Sequence, residues 1–305
     1  MKVKSGSFDA VCLFSGGLDS FVGAADALAE GRNLLLMSHV PEGVARWLSP
    51  AQRNLQAGLA AANQGRHLGH LRVTLNPPKP TEYSGKENTQ RARSLLFLGL
   101  GTLAATAIGE SAPLIVPENG FISLNVPLTP GRIGSSSTRT THPNAMHLYC
   151  QLLKGLAIRV PIELPYIFQT KGEMLARTKD PQVVRRLAAG SVSCANPNPR
   201  SAAKEEHCGY CVPCIIRRAA MSAIGIDSAS DYRLDIRNPG KSLTDKEASH
   251  LKGFEMAIRN RAGGVSVPEL LSAGDLPPSL GSTTDFRDVH DRGLAEVAAF
   301  LGRAA

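Results

Sequence analysis

Ala10-Val11-Cys12-Leu13-Phe14 runs directly into Ser15-Gly16-Gly17-Leu18-Asp19-Ser20, and the reading of this junction decides the fold. The five apolar residues predict a buried strand. A loop of small residues follows, and Phe21 to Glu30 then reads as a helix. Gly16 and Gly17 permit close backbone approach and positive φ. Ser15 and Ser20 add hydroxyls, and the helix start adds free N–H groups at the positive end of its dipole. A loop of this kind is suited to a phosphate or pyrophosphate. It is not a Walker loop, because the Gly-x-x-x-x-Gly-Lys-Ser/Thr pattern is missing. The plainer alternative is a glycine turn before a helix, with Asp19 as a first-turn acid.

Outward from this junction, five apolar segments predict parallel strands: Asp9–Phe14, Asn33–His39, His70–Leu75, Leu114–Val116 and Arg159–Glu163. Helix-compatible stretches such as Gln52–Ala62 and Thr89–Ile108 lie between several of them. This alternation predicts an α/β fold with a doubly wound, parallel, five-stranded sheet. Ligands of such sheets sit beyond the C-terminal strand ends. That rule gathers Ser15–Ser20, Ser38-His39 and Pro117–Gly120 on one edge. Pro77, Pro78 and Pro80 mark a loop between the third strand and the long helix. Gly99-Leu100-Gly101 imitates a dinucleotide fingerprint but lies within an apolar helical run, so its glycines are expected to allow close helix–sheet packing.

The chain has 305 residues, 43% of them hydrophobic, enough for one large α/β domain with an appendage or for two domains. No stretch approaches the roughly 18 uninterrupted apolar residues of a membrane helix, so no membrane association is expected. Met1-Lys2-Val3-Lys4 leads almost at once into the first strand, and no signal peptide is expected. The expected compartment is the cytoplasm. A net charge of +8 suits polyanions such as ATP or pyrophosphate. With aromatics at only 5% and basic residues dispersed, direct nucleic-acid binding is not expected.

Four of the six cysteines cluster as Cys194, Cys208, Cys211 and Cys214. The Cys-x-x-Cys steps let thiolates converge on one tetrahedral ion, and Gly209 relaxes the backbone between two of them. Four thiolates leave no open coordination position, which favours structural Zn²⁺ over a catalytic metal. An iron–sulfur cluster is the main rival. A disulfide framework is disfavoured in a cytosolic chain. Cys12 and Cys150 read as small buried hydrophobes.

The Ser15–Ser20 loop resembles the PP-loop of ATP pyrophosphatases, which cleave ATP to AMP and pyrophosphate. Ser193-Cys194, followed by Cys208-Gly-Tyr-Cys211-Val-Pro-Cys214-Ile-Ile-Arg217-Arg218, resembles the zinc end of the QueC family, the 7-cyano-7-deazaguanine synthases. The order along the chain also agrees, with a short Ala/Gly-rich helix ending near Gly225. Gln52-Arg53 and Arg93-Ser94-Leu95-Leu96-Phe97-Leu98 are weaker matches. The resemblance covers roughly residues 8–228. It implies a fold of HUP type, with residues 1–230 as a PP-loop domain that includes the four-cysteine zinc site at 194–214. Residues 231–305 would form a helical C-terminal extension.

Several departures are visible. Ser94 stands where the family has Asn. The Asp-x-x-x-Tyr-Pro-Asp-like substrate segment is absent, and in its place come Pro117-Glu118-Asn119-Gly120-Phe121 and a Ser/Thr-rich stretch, Gly131 to Thr141, with Arg132 and Arg139. Divergent QueC-like proteins occur in bacterial anti-phage operons, including Qat and type IV CBASS systems. The resemblance implies that these attach a deazaguanine to a protein N-terminus.

The chemistry so implied is ATP-dependent adenylation of a carboxylate, 7-carboxy-7-deazaguanine, followed by displacement of AMP by an amine or ammonia. Ser15, Gly16, Gly17, Leu18 and Ser20 would cradle pyrophosphate, and Asp19 would hold Mg²⁺ or orient its waters. Arg93, and less securely Arg91, would neutralise phosphate charge, unless both are solvated helix arginines. Ser38 lies on the same edge, while Glu118 and Asn119 would meet a purine-like edge or form a simple turn. The expected partners are a deazapurine substrate, a protein acceptor from the same operon, and a second copy in a homodimer. A tRNA-modifying sulfur transferase and a non-catalytic nucleotide-binding subunit are the alternatives. In the tail, Thr244 and Glu247 predict a capped helix over Asp245–Arg261, with further helices at Val267–Leu271 and Gly293–Leu301. His290-Asp291 reads as a solvated helix start. No chemistry is legible beyond Asp231.

Overall fold

A computed structural model describes residues 7–40, 45–75, 93–109, 111–129, 141–195, 207–240 and 242–303. Five strands, β1 (Ala10–Leu13), β2 (Leu34–His39), β3 (Leu68–Val73), β4 (Leu114–Ile115) and β5 (Ile162–Glu163), form one sheet of order β3-β2-β1-β4-β5. Every pairing is parallel. The helices are α1 (Leu18–Ala29), α2 (Ala45–Ala62), α3 (Arg93–Ile108), α4 (Gly120–Leu124), α5 (Pro143–Gly155), α6 (Lys171–Ala176), α7 (Pro181–Leu187), α8 (Val212–Ala223), α9 (Asp245–Asn260), α10 (Val267–Leu271) and α11 (Thr283–Leu301).

The period of two along β1 divides the core. Ala10, Cys12 and Phe14 join one cluster with α1, Leu55 and Leu59 of α2, and Val183 and Val184 of α7. Val11 and Leu13 face the other way, against Leu98, Ala104 and Ala105 of α3 and Met146, Tyr149 and Leu153 of α5. A strand covered on both faces needs apolar residues throughout, which is why the sequence shows an unbroken run there. Gly101 brings α3 onto the sheet, since a Cβ there would lie 2.7 Å from both Leu13 Cδ2 and Leu114 Cδ1. Gly99 meets nothing within 4 Å, so only one of the two helix glycines serves close packing.

Four expectations are corrected. β3 starts two residues earlier than its sequence suggests, because Leu34 of β2 pairs with Leu68. α2 starts at Ala45 and carries Pro50 inside it. Cys150 is exposed, because the helical turn of α5 commits Met146, Tyr149 and Leu153 to the core instead. The last helix begins at Thr283, ten residues before Gly293, behind a capping box of Ser282 and Asp285. His290 therefore lies inside α11 and is buried against the Phe121 ring, 5.7 Å between centroids. The loop with Pro77, Pro78 and Pro80, the start of the Thr89–Ile108 stretch, Arg91, and Arg132 and Arg139 of the Ser/Thr-rich stretch lie outside the described residues.

Residues beyond Asp231 share a core with the rest of the chain. Phe254 and Ile258 of α9 and Leu294, Val297 and Phe300 of α11 pack with Phe121 of α4 and Ile215, Ile216 and Ala219 of α8. The capping box predicted at Thr244 and Glu247 is present. Arg218 is the polar bolt of this junction. Fully buried, it meets Asp227 at 3.0 Å and Asp235 at 2.7 Å, with its guanidinium 5.1 Å from the Phe300 ring centroid. Replacing it by Met leaves the buried Asp227 carboxylate without its partner. We expect Arg218→Met to lose about 3–5 kcal/mol in urea denaturation. A loss below about 1 kcal/mol would show that this pair is not what fastens the extension.

Candidate functional site

Strand β1 ends at Leu13, and the chain turns through Gly16, at φ +86°, into α1 with Gly17 as its N-cap. Three successive backbone N–H groups of this turn each donate to a serine hydroxyl, at 3.2 Å in every case. Gly16 donates to Ser20, Gly17 to Ser15, and Leu18 to Ser193. Each donor is thus met by a different serine, and Ser20 also donates to Gly17 O at 2.9 Å. A helix start of this kind suits a phosphate, which would take these donors by displacing serine hydroxyls. Leu18 contributes only its backbone, since its side chain is fully buried.

Gln52 fastens the turn from behind. It is fully buried, and its Nε2 donates to Ser15 O at 3.1 Å. A Cβ on Gly16 would come within 2.9 Å of Gln52 Cγ, so the glycine gives both the positive φ and the room. On the other side Val192 N–H donates to Gly16 O at 2.7 Å.

Asp19, in the first turn of α1, faces residues from two other elements. Asn119, the N-cap of α4, donates its Nδ2 to Asp19 Oδ2 at 2.7 Å, while its Oδ1 accepts from Ile122 N–H at 3.1 Å. Lys171, the first residue of α6, places its Nζ 2.7 Å from Asp19 Oδ1. The ammonium is 4% exposed. Both carboxylate oxygens thus already face a donor, Oδ1 the Lys171 ammonium and Oδ2 the Asn119 amide. Asp19 could hold Mg²⁺ only by exchanging one of these partners, or orient the ion's waters.

Lys171 escaped the sequence reading. Thr170-Lys171-Gly172-Glu173 is a capping box just after β5, and that signal together with the sheet-edge rule would have located it.

Glu118 is half-buried beside this group, with the Thr141 hydroxyl donating to its Oε2. Burial pushes its carboxyl above the usual range. The Thr141 hydrogen bond and the charge of Lys171 oppose that rise, and Asp19 adds to it. Glu118 lines a cavity of about 250 Å³ with Phe121, Asn125, Ile216 and Phe254. The structure gives Asn119 a different task from the expected base contact, namely to orient Asp19.

Ser38 is likewise fully buried. Its hydroxyl donates to Phe14 O and lies 2.8 Å from His70 Nε2. It braces β2 against β1 instead of facing a ligand. Burial, with Arg72 adding, lowers the His70 pKa to about 4, so the imidazole is neutral at pH 7. Arg93 opens α3, and partial burial lowers its pKa.

Cys194, Cys208, Cys211 and Cys214 bring their sulfur atoms within 4.8 Å of one another, a cluster that can hold a metal ion. Cys208 and Cys214 sulfurs are 3.8 Å apart, about the edge of a tetrahedron with metal–sulfur bonds of ~2.3 Å. Hydrogen bonds from Cys194, Cys211 and Cys214 push the Cys208 thiol far down, while those with Cys194 and then Cys208 push Cys211 and Cys214 up. A cation among the four sulfurs would stabilise all of them as thiolates.

The cluster touches the phosphate loop through its own backbone. Ser193, which receives the Leu18 N–H, precedes the ligand Cys194, and its own N–H donates to His207 Nε2 at 3.4 Å. Arg217 on α8, fully buried, donates to Ser191 Oγ at 2.5 Å and Ala188 O at 2.9 Å. The 188–194 segment is therefore held between α8 and the loop. No helix among the described residues is long and apolar enough to cross a membrane. Comparison with known proteins finds no family model and no curated relative that matches this chain.

Proposed function

We propose that this chain is a QueC-like PP-loop enzyme of HUP type that adenylates a carboxylate with ATP, releasing pyrophosphate and then AMP. The observation that carries the reading is the glycine turn and helix start at Gly16, Gly17 and Leu18, whose N–H groups meet serine hydroxyls, beside Asp19, which Lys171 and Asn119 hold in place. A carboxylate oxygen attacks the α-phosphorus of ATP, the bond to the pyrophosphate oxygen breaks, and an acyl adenylate remains. The N–H groups of this helix start, exchanged from serine to phosphate oxygens, and Lys171 stabilise the charge that collects on departing pyrophosphate. Asp19 would hold Mg²⁺, which supplies charge neutralisation on the phosphates when bound. An amine nitrogen then attacks the acyl carbon and AMP leaves, giving an amide.

The substrate we assign is 7-carboxy-7-deazaguanine, its base facing Glu118 and its carboxylate facing Asp19 and the loop. The acceptor is a protein amine. Ammonia is the rival acceptor, which with a second adenylation would give the nitrile. The purified chain, incubated with Mg²⁺, ATP and this acid, is expected to yield AMP and pyrophosphate in equal amounts with a protein acceptor, and pyrophosphate with a retained acyl adenylate without one. Formation of ADP and phosphate instead, or no acid-dependent AMP, would overturn the reading.

A further inference from the structure

The C-terminal helix α11 reaches into this site. Two of its residues one turn apart, Arg292 and Glu296, grip the segment that carries Lys171. Arg292 donates to Phe168 O at 3.0 Å and pairs with Glu173. Glu296 accepts from the Thr170 hydroxyl at 2.7 Å and from Gly172 N–H at 3.0 and 3.1 Å, one to each carboxylate oxygen. Gly172 makes this approach possible, because a Cβ there would lie 2.3 Å from Glu296 Oε2. On the opposite side, Gly120 N–H, next to Asn119, donates to Tyr166 O at 3.0 Å and Gln169 O at 2.9 Å. The start of α6 is thus clamped between α4 and α11, and the residue at the centre of the clamp is Lys171.

We propose that Glu296 is a positioning residue for Lys171, so that the C-terminal extension sets the place of the ammonium beside Asp19. Two physical effects support it. Glu296 binds the residues on both sides of Lys171 and so fixes the stem from which its side chain reaches Asp19 Oδ1. Its carboxylate also interacts with the Lys171 ammonium through space in a buried setting, where screening by water is weak. Without that second carboxylate, the ammonium is held by Asp19 alone and its side chain is less firmly placed. The role at phosphates rests on the proposed ATP reaction. The positioning itself does not.

The test uses the full chain and two readouts. The first is acetylation of Lys171 by acetic anhydride, followed by peptide mass spectrometry. In Glu296→Gln, which retains an oxygen to accept from Thr170 and Gly172 but removes the charge, the labelling rate is expected to rise about tenfold. The second readout is AMP release, where the same variant is expected to lower kcat about tenfold with KM for ATP within about threefold, since alignment in the transition state is lost. A residue that only props the fold would leave both values unchanged in Glu296→Gln, and that result overturns the proposal. If this variant does not fold, Glu296→Asp retains the charge but retracts it by one methylene, and labelling should rise about threefold. No rise there overturns the proposal as well. MgATP added to wild type is expected to protect Lys171 from acetylation. Lack of protection would count against the ATP site alone, while the labelling difference still decides the role of Glu296.

Discussion

Asp19→Asn is expected to reduce AMP formation about a thousandfold, equivalent to ~4 kcal/mol of transition-state stabilisation. Asn retains an oxygen to accept from Asn119 Nδ2, a bond of 2.7 Å in the wild type. It removes the charge that would hold Mg²⁺ and that fixes Lys171. Asp19→Asn and Asp19→Ala both leave the Lys171 ammonium buried without its nearest anionic partner, so each is also expected to lower the melting midpoint, and rates are compared well below it. The measurement is AMP release at saturating ATP, with thermal unfolding as the control. A rate within about threefold of wild type would remove Asp19 from the reaction.

Cys211→Ser is expected to lower metal content from one ion per chain to about a tenth or less, because Ser is a poor ligand for a soft site. The four sulfurs can hold one metal ion, and zinc is the ion we propose for them. Binding energy of a structural zinc contributes directly to folding, so the melting midpoint should fall by about 10 °C or more. The loss should reach the phosphate loop as well. Ser193 and Cys194 are adjacent, and the Ser193 hydroxyl receives the Leu18 N–H. ATP affinity is therefore expected to fall along with stability, although no cysteine lies in the loop itself. Elemental analysis by mass spectrometry, calorimetry and nucleotide titration check the three parts. Stoichiometric iron would overturn the zinc assignment, and an unchanged midpoint would overturn the structural role.

The local parts of this site were open to sequence reading for a physical reason. Ser15–Ser20 is a contiguous loop whose conformation follows from glycine and from the strand and helix that bracket it. Cys208, Cys211 and Cys214 sit at spacings that bring thiols together within two turns of backbone. The central strands β1, β2 and β4 were recognisable because a sheet covered on both faces demands unbroken apolar runs, whereas the half-exposed β3 was placed two residues late. In the tail, the Thr244 and Glu247 box announced α9.

Sequence could not show which separate elements meet. Lys171 and Asp19 are 152 positions apart yet form an ion pair at 2.7 Å. Ser193 finds Leu18 across 175 positions, and Glu296 finds Gly172 across 124. Such contacts depend on how α6, α8 and α11 pack, and side-chain packing leaves no periodic trace in any single segment. The same holds for what was misjudged. Ser38 lies on the expected sheet edge, but its hydroxyl is spent on Phe14 and His70. His290 looked solvated only because α11 was read as starting ten residues too late. By itself the sequence determined the parallel sheet, the glycine turn between β1 and α1 and the four-cysteine cluster, since each is encoded in local pattern and residue chemistry. The tertiary structure alone decided that Lys171 faces Asp19, and that a C-terminal helix with no legible chemistry clamps it there, because long-range packing selects the partners of buried charges.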